Sequence, residues 1–135
     1  MSPKDSAWET VHTVDDWYDG PRAGVADFEG RPHPYRSTYV DTEGWSPDED
    51  RFELTPISSA ALSAAVELDA IWQRWRAADP QPPDTEDMAL PEDRARRAQL
   101  QTAWDAEYAH RADERLLVHG EFELGCARVR WWRPS

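Results

Sequence analysis

Leu116–Trp132 reads L-L-V-H-G-E-F-E-L-G-C-A-R-V-R-W-W, and this stretch decides the fold class. Leu116, Val118, Phe122 and Leu124 alternate with Leu117, His119, Glu121 and Glu123. Ala127, Val129 and Trp131 then alternate with Cys126, Arg128, Arg130 and Trp132. A period of two marks half-buried strands, so the segment is expected to form an antiparallel hairpin. A turn at Leu124-Gly125 would set Glu121 opposite Arg128 and His119 opposite Arg130. Leu-Gly is not a favoured turn pair, so the pattern specifies the faces more firmly than the register.

Working back from the hairpin, two helices are expected. Pro91 opens one, with Glu92 and Asp93 complementing its dipole, and Leu100, Trp104 and Tyr108 give its buried stripe. The other follows a cap at Ser58 or Ser59 and carries Ala61, Ala65, Leu68, Trp72 and Trp75, flanked by Leu62 and Ile71, ending near Asp79-Pro80. Before them come four strand candidates: Trp8–Val14, Ala23–Glu29, His33–Val40 and Arg51–Ile57. In the first, Val11 and Thr13 share one face. The second and third form a hairpin around Gly30-Arg31-Pro32; a turn at Gly30-Arg31 would place Phe28 opposite His33 and Ala26 opposite Tyr35. The expected fold is α+β, an antiparallel sheet of five or six strands with an αα-hairpin packed on one face. Residues 1–135 form a single domain with acidic loops at 41–50 and 80–91.

Composition narrows the function classes. The net charge is −12, with 27 acidic residues against 15 basic ones, all Arg except Lys4. Such a balance opposes nonspecific binding to nucleic acid and to anionic membranes. It suits a basic protein partner, or simple solubility. Eight Trp supply burial that the low hydrophobic content of 39% would not, so a folded domain is expected despite eleven Pro. Cys126 is the only cysteine, which excludes an intramolecular disulfide and a cysteine-based zinc site. The opening M-S-P-K-D-S-A-W has no signal-peptide core, and no apolar run reaches membrane-spanning length, so a cytoplasmic protein is expected.

Candidate chemistry centres on Trp17–Tyr35, W-Y-D-G-P-R-A-G-V-A-D-F-E-G-R-P-H-P-Y. Asp16, Asp19, Arg22 and either His12 or His33 could form an acid–base set beside a guanidinium, or the Asp19-Gly20-Pro21 turn could simply be clamped by Arg22. No nucleophile completes a mechanism there. Glu107-x-x-His110 matches half of a di-iron pattern that needs two such motifs. The four His are scattered and the acidic loops lack a calcium-loop pattern, so neither metal nor cofactor is expected. Cys126 is expected on the outward strand face with Arg128 near it, as a packing residue. Trp17, Tyr18, Trp45, Trp131 and Trp132 are expected in loops or near the C-terminal end. Trp132 beside Arg133 has the composition of an interface hot spot.

The run V-x-x-V-x-D-W-Y-D-G-P-R-x-G-V-A-D-F-x-G-x-P-H-x-Y at residues 11–35 resembles the opening of a group of small bacterial proteins of one-domain size, with a looser likeness at L-P-E-D from Leu90 and in the last strand. The resemblance implies a bacterial origin and a compact domain; it implies no activity and transfers no functional residue. The favoured expectation is a non-enzymatic interaction module, an inhibitor or immunity-type partner of a basic protein. The alternatives are a small enzyme or ligand-binding protein with its site at the D-G-P-R loop and His33, and a DNA-mimicking inhibitor. The candidate binding residues are Trp17, Asp19, Arg22, His33, Tyr35 and Trp132.

Overall fold

The computed structural model describes residues 6–17, 20–38, 51–79 and 88–133. Six strands run β1 (Glu9–Trp17), β2 (Pro21–Phe28), β3 (Arg31–Ser37), β4 (Arg51–Leu54), β5 (Leu116–Phe122) and β6 (Arg128–Trp132). Helices α1 (Ser59–Ala77) and α2 (Arg94–His110) lie between β4 and β5, with a short 3₁₀ turn at Pro91–Asp93 leading into α2. Each strand pairs antiparallel with the next, and β1 pairs with β6, so the six-stranded sheet closes on itself as a barrel. The α+β class and the αα-hairpin follow the sequence; closure, which removes both sheet edges, is new.

The barrel interior is filled. Register places Tyr35 on β3 opposite Leu54 on β4, Phe52 opposite Val118 on β5, and Gly120 opposite Trp131 on β6. Tyr35, Phe52, Phe122 and Trp131 touch ring to ring, every centroid pair between 5.3 and 6.0 Å. Two glycines make the space: a Cβ at Gly120 would run into the Trp131 ring, and one at Gly24 into the Thr13 carbonyl and the Tyr35 hydroxyl. Trp131, expected near the C-terminal end on the apolar phase of the last strand, is a central core residue whose indole N–H donates to the Asp27 carbonyl at 2.9 Å.

Both hairpins keep the expected faces but not the expected register. In β2–β3 the pairs are Phe28 with Arg31 and Ala26 with His33, because Glu29 and Gly30 form the turn, both at positive φ as a two-residue hairpin turn needs. In β5–β6 the pairs are Glu121 with Arg130 and His119 with Trp132. The turn there is longer: Cys126 N–H donates to the Glu123 carbonyl at 2.7 Å, with Gly125 and Cys126 in left-handed conformations. Cys126 is therefore a loop residue and Leu124 leaves the apolar face for solvent. Each shift is by two residues, which preserves which side chains point inward.

The helices cover the outer face of β1 and β2. Val25 packs there with Ile57, Ala61 and Ala65, and Leu62 and Trp104 close around them. Ser58 caps α1, its Oγ accepting from Ala61 N–H at 3.1 Å. Glu107 on α2 accepts from Ser58 N–H at 2.9 Å, tying the end of one helix to the start of the other. That bond holds the Glu107 carboxyl below its ordinary pKa. Ile71, rather than Trp72 or Trp75, is the buried large residue of α1; both Trp are only half-buried. No described helix is long and apolar enough to cross a membrane.

Candidate functional site

Between β1 and the helical hairpin lies a cleft of about 310 Å³. That is roughly ten water volumes, at the small end of ligand pockets. Ala65, Leu68, Asp69 and Trp72 on α1 form one wall at the i, i+3, i+4, i+7 spacing of a single helix face. Gln101 and Trp104 on α2 face them, Met88 closes one end, and Val14 and Asp15 of β1 form the floor. Two carboxyl groups thus share a cleft otherwise lined mainly by apolar and indole surface.

Asp15 reaches this position through irregularities in β1. Val11 pairs with Ala26 and Thr13 with Val25, two adjacent β2 residues that point to opposite faces, so a bulge lies between them. Val11 therefore packs inside the barrel while Thr13 turns toward the helices, contrary to the expectation that they share a face. Buried Thr13 is fixed three ways. Its carbonyl accepts from the Tyr35 hydroxyl at 3.0 Å, its Oγ1 accepts from Val25 N–H at 3.0 Å, and its side chain hydrogen-bonds Asp15. The central barrel ring is thereby linked to the floor of the cleft.

The electrostatics are unusual for a surface. Burial pushes the Asp15 carboxyl up to about 6, with the Asp69 charge adding to the rise and the Thr13 hydrogen bond opposing it. Burial also raises Asp69, opposed by a hydrogen bond from Gln73. Asp15 as a residue keeps much of its surface in solvent, so screening limits the energy behind its shift without changing its direction. Two like charges that desolvation disfavours are relieved by a cation between them. Trp72 already has the Arg76 guanidinium 5.3 Å from its ring centroid, which shows its face serving a cation.

The residues singled out in the sequence fall elsewhere. Asp19, Tyr18, Trp45 and the acidic loop at 41–50 lie outside the described residues, as do positions 80–87 of the second loop. Trp17 is 61% exposed at the end of β1. Arg22 is buried on β2 and His33 is buried on β3, where its ring N–H donates to the Arg31 carbonyl and its edge meets Phe28. Ala23 pairs with Arg36, so Arg22 sits near the level of Ser37, about 13 Å along the strand from His33 at 3.3 Å per residue. Arg22 and His33 do not converge on one site. Tyr35 lies between them as a core residue, its hydroxyl held above its ordinary pKa by burial. Trp132 stacks on His119 with centroids 5.6 Å apart. His12 bonds Asp27 at 2.8 Å.

Glu107 serves as the helix tie, and no group of three or more His, Cys, Asp or Glu among the described residues could hold a metal ion. The cleft residues missed in the sequence had one legible signal: Asp69 interrupts the apolar face Ala65–Leu68–Trp72. Asp15 had none, because a bulge inside a β-branched run leaves no mark in the alternation. No protein-family model, no curated protein and no solved structure matches the chain.

Proposed function

We propose that this protein is a non-enzymatic binding module for a basic protein partner, and that the cleft under the helical hairpin receives a Lys or Arg side chain of that partner. The observation that carries this reading is the pair Asp15 and Asp69 facing one cleft between Trp72 and Trp104. A guanidinium or ammonium entering there meets two carboxylates and the indoles of Trp72 and Trp104, while its alkyl stem lies against Leu68 and Met88. The acidic balance supports the same partner. Ten of the 27 acidic residues, against Lys4 alone among bases, fall outside the described segments, mostly in the two acidic loops. Such charge accelerates capture of a basic surface and makes it salt-dependent. By contrast, the outer face of the barrel is balanced: Arg36 pairs with Glu53, Arg130 with Glu121 and Arg128 with Glu123.

The test is retention of proteins from the source lysate on the tagged chain, compared with the double variant Asp15→Asn/Asp69→Asn at low and high salt. The expected result is a stoichiometric basic protein that the double variant and high salt both release. Equal retention by the double variant would remove the cleft from the interface, and a partner without basic surface would remove the reading itself.

A further inference from the structure

The barrel has a second concavity, about 610 Å³, at the end where β1, β2 and the β5–β6 turn meet. Its floor is aromatic: Phe52, 1% exposed, and the partly buried Phe122. Among the described residues at its lip, Trp17 and Leu124, the latter 100% exposed, present apolar surface to solvent. A wholly exposed Leu and a mostly exposed Trp lining one aromatic hollow are unusual for a surface left to water.

One wall carries a cation. Arg22 occupies the inward phase of β2, in step with Gly24, Ala26 and Phe28, and is 8% exposed while lining the concavity. Charged residues are seldom buried so deeply. The guanidinium is engaged within the protein, but its five N–H donors and delocalised charge allow it to serve a carboxylate as well. The two acidic residues at the same rim are turned to other work: Glu121 takes both Nε and Nη2 of Arg130, and Glu123 takes both from Arg128. Among the described residues that line the mouth, Arg22 is the one cation.

We propose that the mouth of the barrel binds a small apolar molecule bearing one anionic group, its hydrophobic body between Leu124 and the Phe52–Phe122 floor and its carboxylate or sulfonate at Arg22. The volume suits a ligand of two or three rings or a medium acyl chain. This site is separate from the cleft under the hairpin and takes the opposite charge.

The probe is 1-anilinonaphthalene-8-sulfonate, compared with its uncharged relative N-phenyl-1-naphthylamine. Fluorescence titration of the full chain should show saturable 1:1 binding of the sulfonate, and bound probe should slow alkylation of Cys126, which lines the same concavity. Arg22→Met should weaken the sulfonate at least about tenfold, the size of a lost charge-assisted hydrogen bond, and leave the uncharged probe alone. Leu124→Asp, at a fully exposed position outside the core, should weaken both probes. Where Arg22→Met fails to fold, the Leu124 variant and the comparison of probes decide. The proposal is overturned by non-saturable binding, by equal affinity for the two probes, by binding indifferent to Leu124→Asp, or by a self-association lost in Leu124→Asp with no probe bound, which would make the lip a contact between copies.

Discussion

Inside the barrel, four aromatic rings contact one another and are sealed by two glycines that give up their side-chain volume. Across the seam between barrel and helices, aromatic residues stand apart, half in solvent, with carboxyl groups between them. The two regions share a wall, β1, and even a residue, Thr13. The difference teaches where this chain spends its burial: the barrel carries cohesion, and the seam keeps desolvated charge that cohesion alone would remove. A seam selected only for stability would place apolar residues at positions 15 and 69.

Substitutions can break this contrast from either side. The largest effect is expected in the barrel, where Phe52→Ala removes a ring in contact with three others and should cost about 3–5 kcal/mol in chemical denaturation. Thr13→Val keeps the shape but strands the Val25 N–H, and should cost about 1–3 kcal/mol while also shifting the Asp15 titration. A loss confined to stability, with Asp15 unchanged, would separate the two regions.

The seam should behave in the opposite sense. Unfolded Asp15 ionises near 3.8 and folded Asp15 near 6. Between those values the unfolded chain binds fewer protons, so this group makes stability fall as pH rises through that window and leaves it level above. Asp15→Asn should therefore raise the melting temperature at pH 7.5, by the equivalent of at most about 1 kcal/mol given its solvent exposure, with no gain below pH 4. A destabilised variant at pH 7.5 would mean that the carboxylate holds the fold rather than awaiting a ligand. Smallest of all, Arg74→Ala removes an exposed ion pair with Asp93 across the helical hairpin and should leave the denaturation midpoint almost unchanged.

The same contrast governs what could be read from the sequence. Alternation along Leu116–Trp132 specified the inward set of β5 and β6, although the turn around Gly125 is longer than two residues. The first hairpin erred by two residues in the other direction, since Glu29-Gly30 supplies the turn. Side-chain parity is local and survives such slips; register depends on turn geometry, which a single Gly only hints at. Barrel closure through Glu9 and Thr10 of β1 against β6 had no local signature, because no short-range pattern states which strands meet at the ends of a sheet. The D-G-P-R segment drew notice for its density of Gly, Pro and aromatic residues, and Arg22 does line a concavity; His33 does not join it. Trp72 and Trp104 were expected as core, since helical spacing tells which face is apolar and not how tightly a neighbouring layer closes over it.

The most direct test of the cationic cleft is a carbon-13 NMR titration of the Asp15 and Asp69 carboxyl groups, alone and with a tetra-arginine peptide. The account predicts an Asp15 midpoint near 6 in the free protein, falling toward 4 when the peptide binds, with the Trp72 and Trp104 indole resonances moving together. A midpoint near 3.8, unmoved by the peptide, would contradict it.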